Sequence, residues 1–231
     1  MPGTIKTVTE QIYQEIRNEI LTQSLRAGEK ITIKMLHDRY GVSSSPIREA
    51  LVRLQQDGLI EYKPNVGMRV VQLTVNDLKE LFPLMAELDA ISLRFAASSD
   101  RADRLVEELT EIQQQTEAAF YDEANWDRLS DEFHLKFYEI AGNSRLSSAA
   151  KRFRTQFTIF TNIYQKDEKN RRSILAEHQA VLDALKEGNI AEAEVRMRNH
   201  GYSAERMAME AFNEQAREQQ GESCPNNSTQ G

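Results

Sequence analysis

Beyond Thr74 the chain places apolar residues one helical turn apart almost to its end, and this period constrains the fold more than any other feature. Leu78, Leu81, Leu84/Met85, Leu88, Ile91 and Phe95 form one stripe, and Leu105, Leu109, Ile112, Thr116 and Ala119 a second. Further helices are expected at about 126–141, 145–165, 173–187 and 190–217. Breaks fall at Ser98-Ser99-Asp100, Asp122–Asn125, Gly142-Asn143, near Asp167 and at Gly188-Asn189. Connections this short return each helix antiparallel to the last, so the spacing predicts a bundle of six or seven helices over 75–217. The last residues, 218–231, end in the polar run GESCPNNSTQG and read as a disordered tail.

Residues 1–74 follow a different plan. Thr7-x-x-Glu10 opens a helix that carries Ile12, Ile16 and Ile20 on one face. A short helix from about Thr32 to Tyr40 stops at Gly41. A third starts at Ser43-Ser44-Ser45-Pro46, buries Ile47, Ala50/Leu51 and Leu54, and ends at Asp57-Gly58. LIEYK and MRVVQL, joined by PNVG, then read as a two-stranded hairpin. Helix, helix, short break, helix, hairpin is the order of a winged helix-turn-helix, whose third helix enters the major groove of DNA by its N-terminal turn. Serine hydroxyls and free amides at that turn suit phosphate oxygens, and Arg48, one turn in, reaches phosphate or a guanine edge. The fold class is therefore mainly α: a winged helix-turn-helix followed by a helical bundle.

Charge divides the chain at the same place. Of 29 Lys/Arg and 36 Asp/Glu, residues 1–74 hold 10 and 8, about +2, leaving 19 and 28, about −9, for the rest. The overall charge of −7 thus hides an N-terminal part able to meet a polyanion. No apolar run is long enough to span a bilayer, and MPGTIKTVTEQ lacks the core of a signal peptide, so a cytoplasmic protein is expected. One cysteine, Cys224, gives neither a disulfide framework nor a thiolate metal site.

Three of the four histidines, His134, His178 and His200, share the apolar face of their own helices. His178 lies ten residues before Gly188 and His200 twelve after it. At 1.5 Å per residue they stand roughly 15 and 18 Å from one turn and come level in an antiparallel pair. His134, on another helix, could complete a triangle, and Asp131 shares its face at i−3. Neutral imidazoles converging in a bundle suit zinc, nickel or manganese. Each histidine is otherwise a hydrogen-bonded core residue, and the residues alone leave both readings open.

Two stretches carry a family resemblance. LRAGEKI, LHDRYGVSSSPIREAL and RLQQDGLIEYKPNVGMRV resemble the DNA-binding domain of GntR-superfamily transcription regulators. DEFHLKFYEIAGN, EHQAVLDALKEGN and AEAEVRMRNH are similar to the FCD domain, the effector-binding bundle of the FadR branch. The resemblance implies DNA contacts at Lys34, Ser43, Ser44, Ser45, Arg48 and Gly67, although Ser44 stands where arginine is common. It implies metal ligation by His134, His178 and His200, with Ser130 in place of the family aspartate and Asp131 as a possible substitute. Met85 stands where many members place a pocket arginine, which turns attention to Asn143, Arg152 and Arg154 as effector contacts. The implied protein is a homodimer on a palindromic operator that answers to a small effector such as an organic acid. The rival readings are a metal-dependent hydrolase, with Asp131 or Glu132 as base, and a DNA-binding dimer whose bundle is purely structural.

Overall fold

The computed structural model describes residues 7–219. Helix α1 (Val8–Leu21) is capped by the Thr7 hydroxyl, which accepts from Glu10 N–H at 3.1 Å. A short strand β1 (Lys30–Ile31) leads to α2 (Ile33–Tyr40), which ends on Gly41 in the left-handed conformation, φ 66°. Helix α3 (Ser44–Gln56) follows, then β2 (Ile60–Lys63) and β3 (Gly67–Val70), paired antiparallel in the register Ile60↔Val70 to Lys63↔Gly67. β1 joins the free edge of β3, giving the order β1-β3-β2, a third strand that two residues were too few to announce. Ile16, Leu36, Ile47, Leu54 and Leu59 close the core beneath these elements.

Six helices make the bundle: α4 (Val75–Ala97), α5 (Ala102–Ala118), α6 (Glu123–Ala141), α7 (Ser144–Tyr164), α8 (Glu168–Lys186) and α9 (Ile190–Gln219). α4 begins in a reciprocal capping box between Thr74 and Asp77 and runs at the centre, packed on α6, α7 and α9. It lies close against α9 at Gly201, where a Cβ would overlap that of Ala86. The expected stripe on α4 is corrected here. Leu78, Leu81 and Met85 are buried as expected, but Leu84 and Phe95 are exposed, and the buried face continues through Phe82, Ala86, Asp89, Ala90, Leu93 and Ala96. Ala86 is small where Gly201 of α9 comes against it, and one carboxylate, Asp89, lies on the same buried face.

The bundle core divides into two apolar clusters. One gathers Leu93, Leu109, Phe133, Phe137, Val181 and Met197, the other Leu78, Phe82, Trp126, Phe160, Ile174 and Ala204. Helix α7 also touches the winged helix. Gln156 Nε2 donates to Gly58 O at 3.0 Å, Asn162 Nδ2 to Leu21 O at 3.3 Å, and Ile159 packs on the N-terminal core. Among the described residues no helix is long and apolar enough to cross a membrane.

Candidate functional site

Between the two clusters the bundle holds a buried polar layer, to which α4, α6, α8 and α9 contribute where they pass from one cluster to the other. Asp89 follows Met85 and precedes Ala90 on α4; His134 lies between Trp126 and Phe137 on α6. His178 lies between Ile174 and Val181 on α8, and His200 between Met197 and Ala204 on α9. Arg154 enters from α7, and all five side chains are buried.

One ring nitrogen from each histidine lies within 4.8 Å of the others. His178 Nε2 is 3.3 Å from His200 Nε2, the level placement that counting from Gly188 predicts. The ring of Phe133 stacks on His178 at 4.1 Å between centroids and holds it in plane. Carboxylates back two of the three rings. Glu177 Oε2 lies 2.7 Å from His200 Nδ1, and Asp89 Oδ2 lies 2.9 Å from His134 Nδ1, off the axis of a ring N–H. The bond between Glu177 and His200 Nδ1 orients that imidazole so that Nε2 presents its lone pair.

Electrostatics favour the neutral form of two of these rings, His178 and His134. Burial holds His178 well below the ordinary histidine value, and the neighbouring His200 and His134 add to the effect. Burial also lowers His134, although Asp89 beside it pulls the other way. Burial alone would raise Asp89, but Arg154 and then His134 outweigh it and hold the carboxyl below the usual range. Asp89 Oδ1 accepts from Arg154 Nη2 at 2.5 Å and from Tyr138 Oη at 2.7 Å.

The donor set fits a transition-metal ion. Two nitrogens sharing a tetrahedral ion at about 2.1 Å each stand about 3.4 Å apart, close to the 3.3 Å between His178 and His200. His178 Nδ1 is buried with no hydrogen-bond partner among the described residues, so this ring is not held here as a satisfied core histidine. Ser130, buried in the wall, offers a hydroxyl where the resemblance implies a carboxylate.

A small cavity of about 30 Å³ adjoins this layer, lined by Ser130, Asp131, His134, Arg154, His200 and residues of α7. It has room for about one or two water molecules. Asp131 faces Arg154, Oδ1 lying 2.8 Å from Nη1, and is not part of the histidine cluster. Asn143 caps α7, accepting from Leu146 N–H at 3.1 Å. The side chain of Arg152 lies outside the described structure.

In the winged helix, Lys34, Ser43, Ser44, Ser45 and Arg48 are exposed along α2 and the start of α3. Ser43 is the N-cap residue but makes no side-chain cap bond, and Ser45 Oγ donates to Glu49 at 3.3 Å. The serines therefore leave the first amides of α3 unfilled. Gly67 opens β3 with φ 96°, a conformation that favours glycine. Arg53 has a different duty: it pairs with Glu10 at 2.6 Å and lies over the Tyr13 ring, tying α3 to α1.

The family model described as "Bacterial regulatory proteins, gntR family" matches residues 8–70, and that of the FCD domain matches residues 80–202. The chain belongs to the gntR family and carries an FCD domain. It is a GntR-family transcriptional regulator. Similar curated proteins include the uncharacterized HTH-type transcriptional regulator YdhC of Bacillus subtilis, 26% identical over 185 residues covering 78% of this chain and 81% of that one. The HTH-type transcriptional repressor GlaR of Escherichia coli is 25% identical over 203 residues, covering 81% and 90%. Among solved structures, E. coli McbR/YncC superposes with a TM-score of 0.74 at 17% identity, covering 90% of this chain and all of that one, and so shares the fold.

Within this family frame, two residues that pattern reading did not find are Asp89 and Glu177. Asp89 could have been noticed as the one acid on the small-residue face of α4. Glu177 was hidden by lying next to His178 in sequence while bonding to His200 across the hairpin.

Proposed function

We propose that this chain is an operator-binding regulator controlled by a small molecule that enters the bundle beside a metal held by His134, His178 and His200. Residues 1–74 form the DNA-binding unit, 75–217 the effector and dimerisation unit, and 218–231 a tail. Two copies present α3 to the half-sites of a palindrome in the cytoplasm, since a two-fold protein reads a two-fold operator. Lys34, Ser43, Ser44, Ser45, Arg48 and Gly67 meet the DNA, with the unfilled amides of α3 taking phosphate. Zinc, nickel or manganese on these three imidazoles would supply a positive charge and open positions for a ligand.

The observation that carries this reading is the placement of α7. Arg154, Thr158, Thr161 and Gln165 recur at one-turn spacing on the side that lines the cavity. Gln156 and Ile159 face the winged helix, while Asn162 both lines the cavity and donates to Leu21 O. One helix thus forms a wall of the cavity and a mount of the DNA-binding unit. A ligand that prefers one position of α7 biases the winged helix through it. Hydrolysis finds less support: Asp131 pairs with Arg154 and Glu132 with Arg128 at 2.8 Å, which engages both candidate bases.

The test is selection of duplex DNA from a random pool, followed by binding at several salt concentrations. A two-fold site should emerge. Arg48→Ala should weaken binding and either lower the salt slope by about one or relax one base position. Unchanged affinity, slope and preference would remove α3 from the groove.

A further inference from the structure

The winged helix and the bundle do not close on each other completely. A cleft of about 700 Å³ lies between them, a volume ordinary for a small-molecule site, and such sites favour the junctions of structural units. On one side are the end of α1, the loop that follows it and the connecting segment 70–73; on the other are α7 and the C-terminal part of α9. The cleft shares no lining residue with the cavity beside His134. Leu25, Val70 and Phe160 give it a buried apolar floor, and Leu73, Ile163 and Phe212 are half-buried along it. Although the chain carries a net charge of −7, no carboxylate is among the described residues of the lining, where Arg26 alone is charged and Gln23, Gln72 and Gln215 supply neutral amides. Arg26 is exposed. Glu29 takes its backbone N–H at 2.9 Å, and its guanidinium enters no ion pair among the described residues.

We propose that this cleft is a second ligand site, separate from the histidine layer, and that it takes an amphipathic anion which wedges between the two units. The apolar body of the ligand lies on the floor, and its negative end meets Arg26. Each half of the lining selects for this combination. An inorganic anion leaves the apolar floor wet, whereas a neutral apolar molecule forgoes the charge-assisted bond that the guanidinium offers. An occupant touches segment 70–73, which leads directly into the α4 cap at Thr74, and touches α7 at the same time. The winged helix therefore cannot shift against the bundle without changing the site, so binding favours one arrangement of the two units.

The experiment is fluorescence titration of the full-length protein with two dyes of similar body, the anionic anilinonaphthalene sulfonate and the neutral phenylnaphthylamine. Arg26→Ala and Arg26→Glu, at an exposed position, should weaken the sulfonate dye about 10-fold, the worth of one charge-assisted bond, and leave the neutral dye within about twofold. Ile163→Gln should weaken both dyes severalfold, and His178→Ala should change neither. On the operator selected from the random pool, saturating sulfonate dye should shift the affinity of the wild type severalfold and leave that of Arg26→Glu unchanged. Undiminished sulfonate binding in both Arg26 variants would overturn the proposal. Loss of binding in His178→Ala would overturn it by placing the dye in the histidine layer. A wild type of dimeric native mass that binds neither dye would overturn it by assigning the cleft to a second copy of the chain. Dye binding with no shift in operator affinity would overturn the wedge.

Discussion

Removing the Asp89 carboxylate should cost the bundle more than any surface change, and the size of the loss follows from its partners. Asp89→Ala strips Arg154 of a 2.5 Å bond, Tyr138 of a 2.7 Å bond and His134 of its anionic neighbour. Deleting one member of a buried pair costs about 3–5 kcal/mol because the remaining charge is uncompensated. Here Asp131 still touches Arg154 from the half-exposed side, which places the loss near the lower bound, about 3 kcal/mol. Asp89→Asn keeps an acceptor for Tyr138 and Arg154 and should cost about 1–2 kcal/mol. The combination Asp89→Leu with Arg154→Met removes both charges and should recover much of the loss. Trp126 is the sole tryptophan and is buried in the bundle, so its fluorescence in urea reports this unit specifically. The midpoint should fall by about 1 M for Asp89→Ala. A loss below about 1 kcal/mol would show that Asp89 does not hold the layer together.

Three further outcomes follow from particular contacts. Burial pushes the Asp127 carboxyl up to about 6, with Arg171 opposing and Glu123 reinforcing. The folded state then holds this proton more tightly, so the stability it contributes is present below about pH 4 and is lost as pH rises through 6. Full burial would make that about 3 kcal/mol, but water reaches the side chain and screening leaves about 1 kcal/mol. Asp127→Asn should therefore stabilise at pH 7.5 and not at pH 4 in the Trp126 assay, and equal effects at both would refute this. Gln156→Ala with Asn162→Ala removes both side-chain bonds between α7 and the winged helix. It should leave the bundle's urea midpoint within about 1 kcal/mol while weakening the effect of any effector on operator binding severalfold, and an unchanged response would take the coupling away from α7. Gly201→Ala should cost about 1–3 kcal/mol through overpacking on Ala86, measured by urea, and an undisturbed midpoint would mean α4 moves freely there.

Much of this architecture was legible in the chain itself, for stated reasons. Caps at Thr7 and Gly41, the serine-proline start of α3 and the hairpin residues are local signals, and local signals set local structure. The level of His178 and His200 followed from helix rise alone, because both count from one glycine turn. The face of α4 did not follow. Leu84 and Phe95 fall on the outside although they share the apolar period, and part of the packed side is carried by alanines and by Asp89, whose burial depends on Arg154 sixty-five residues away. Such pairings depend on tertiary packing that periodicity does not encode. The bond from Ser45 to Glu49 at the start of α3 is likewise not announced by the serine run.

The histidine layer is the centre of this account, and elemental analysis of the purified protein by plasma mass spectrometry, with a native mass of the same sample, tests it most directly. The account predicts about one zinc, nickel or manganese per chain, its loss in His178→Ala and in His200→Ala, and a dimeric mass throughout. Metal-free wild type, or variants that keep their metal, would contradict it.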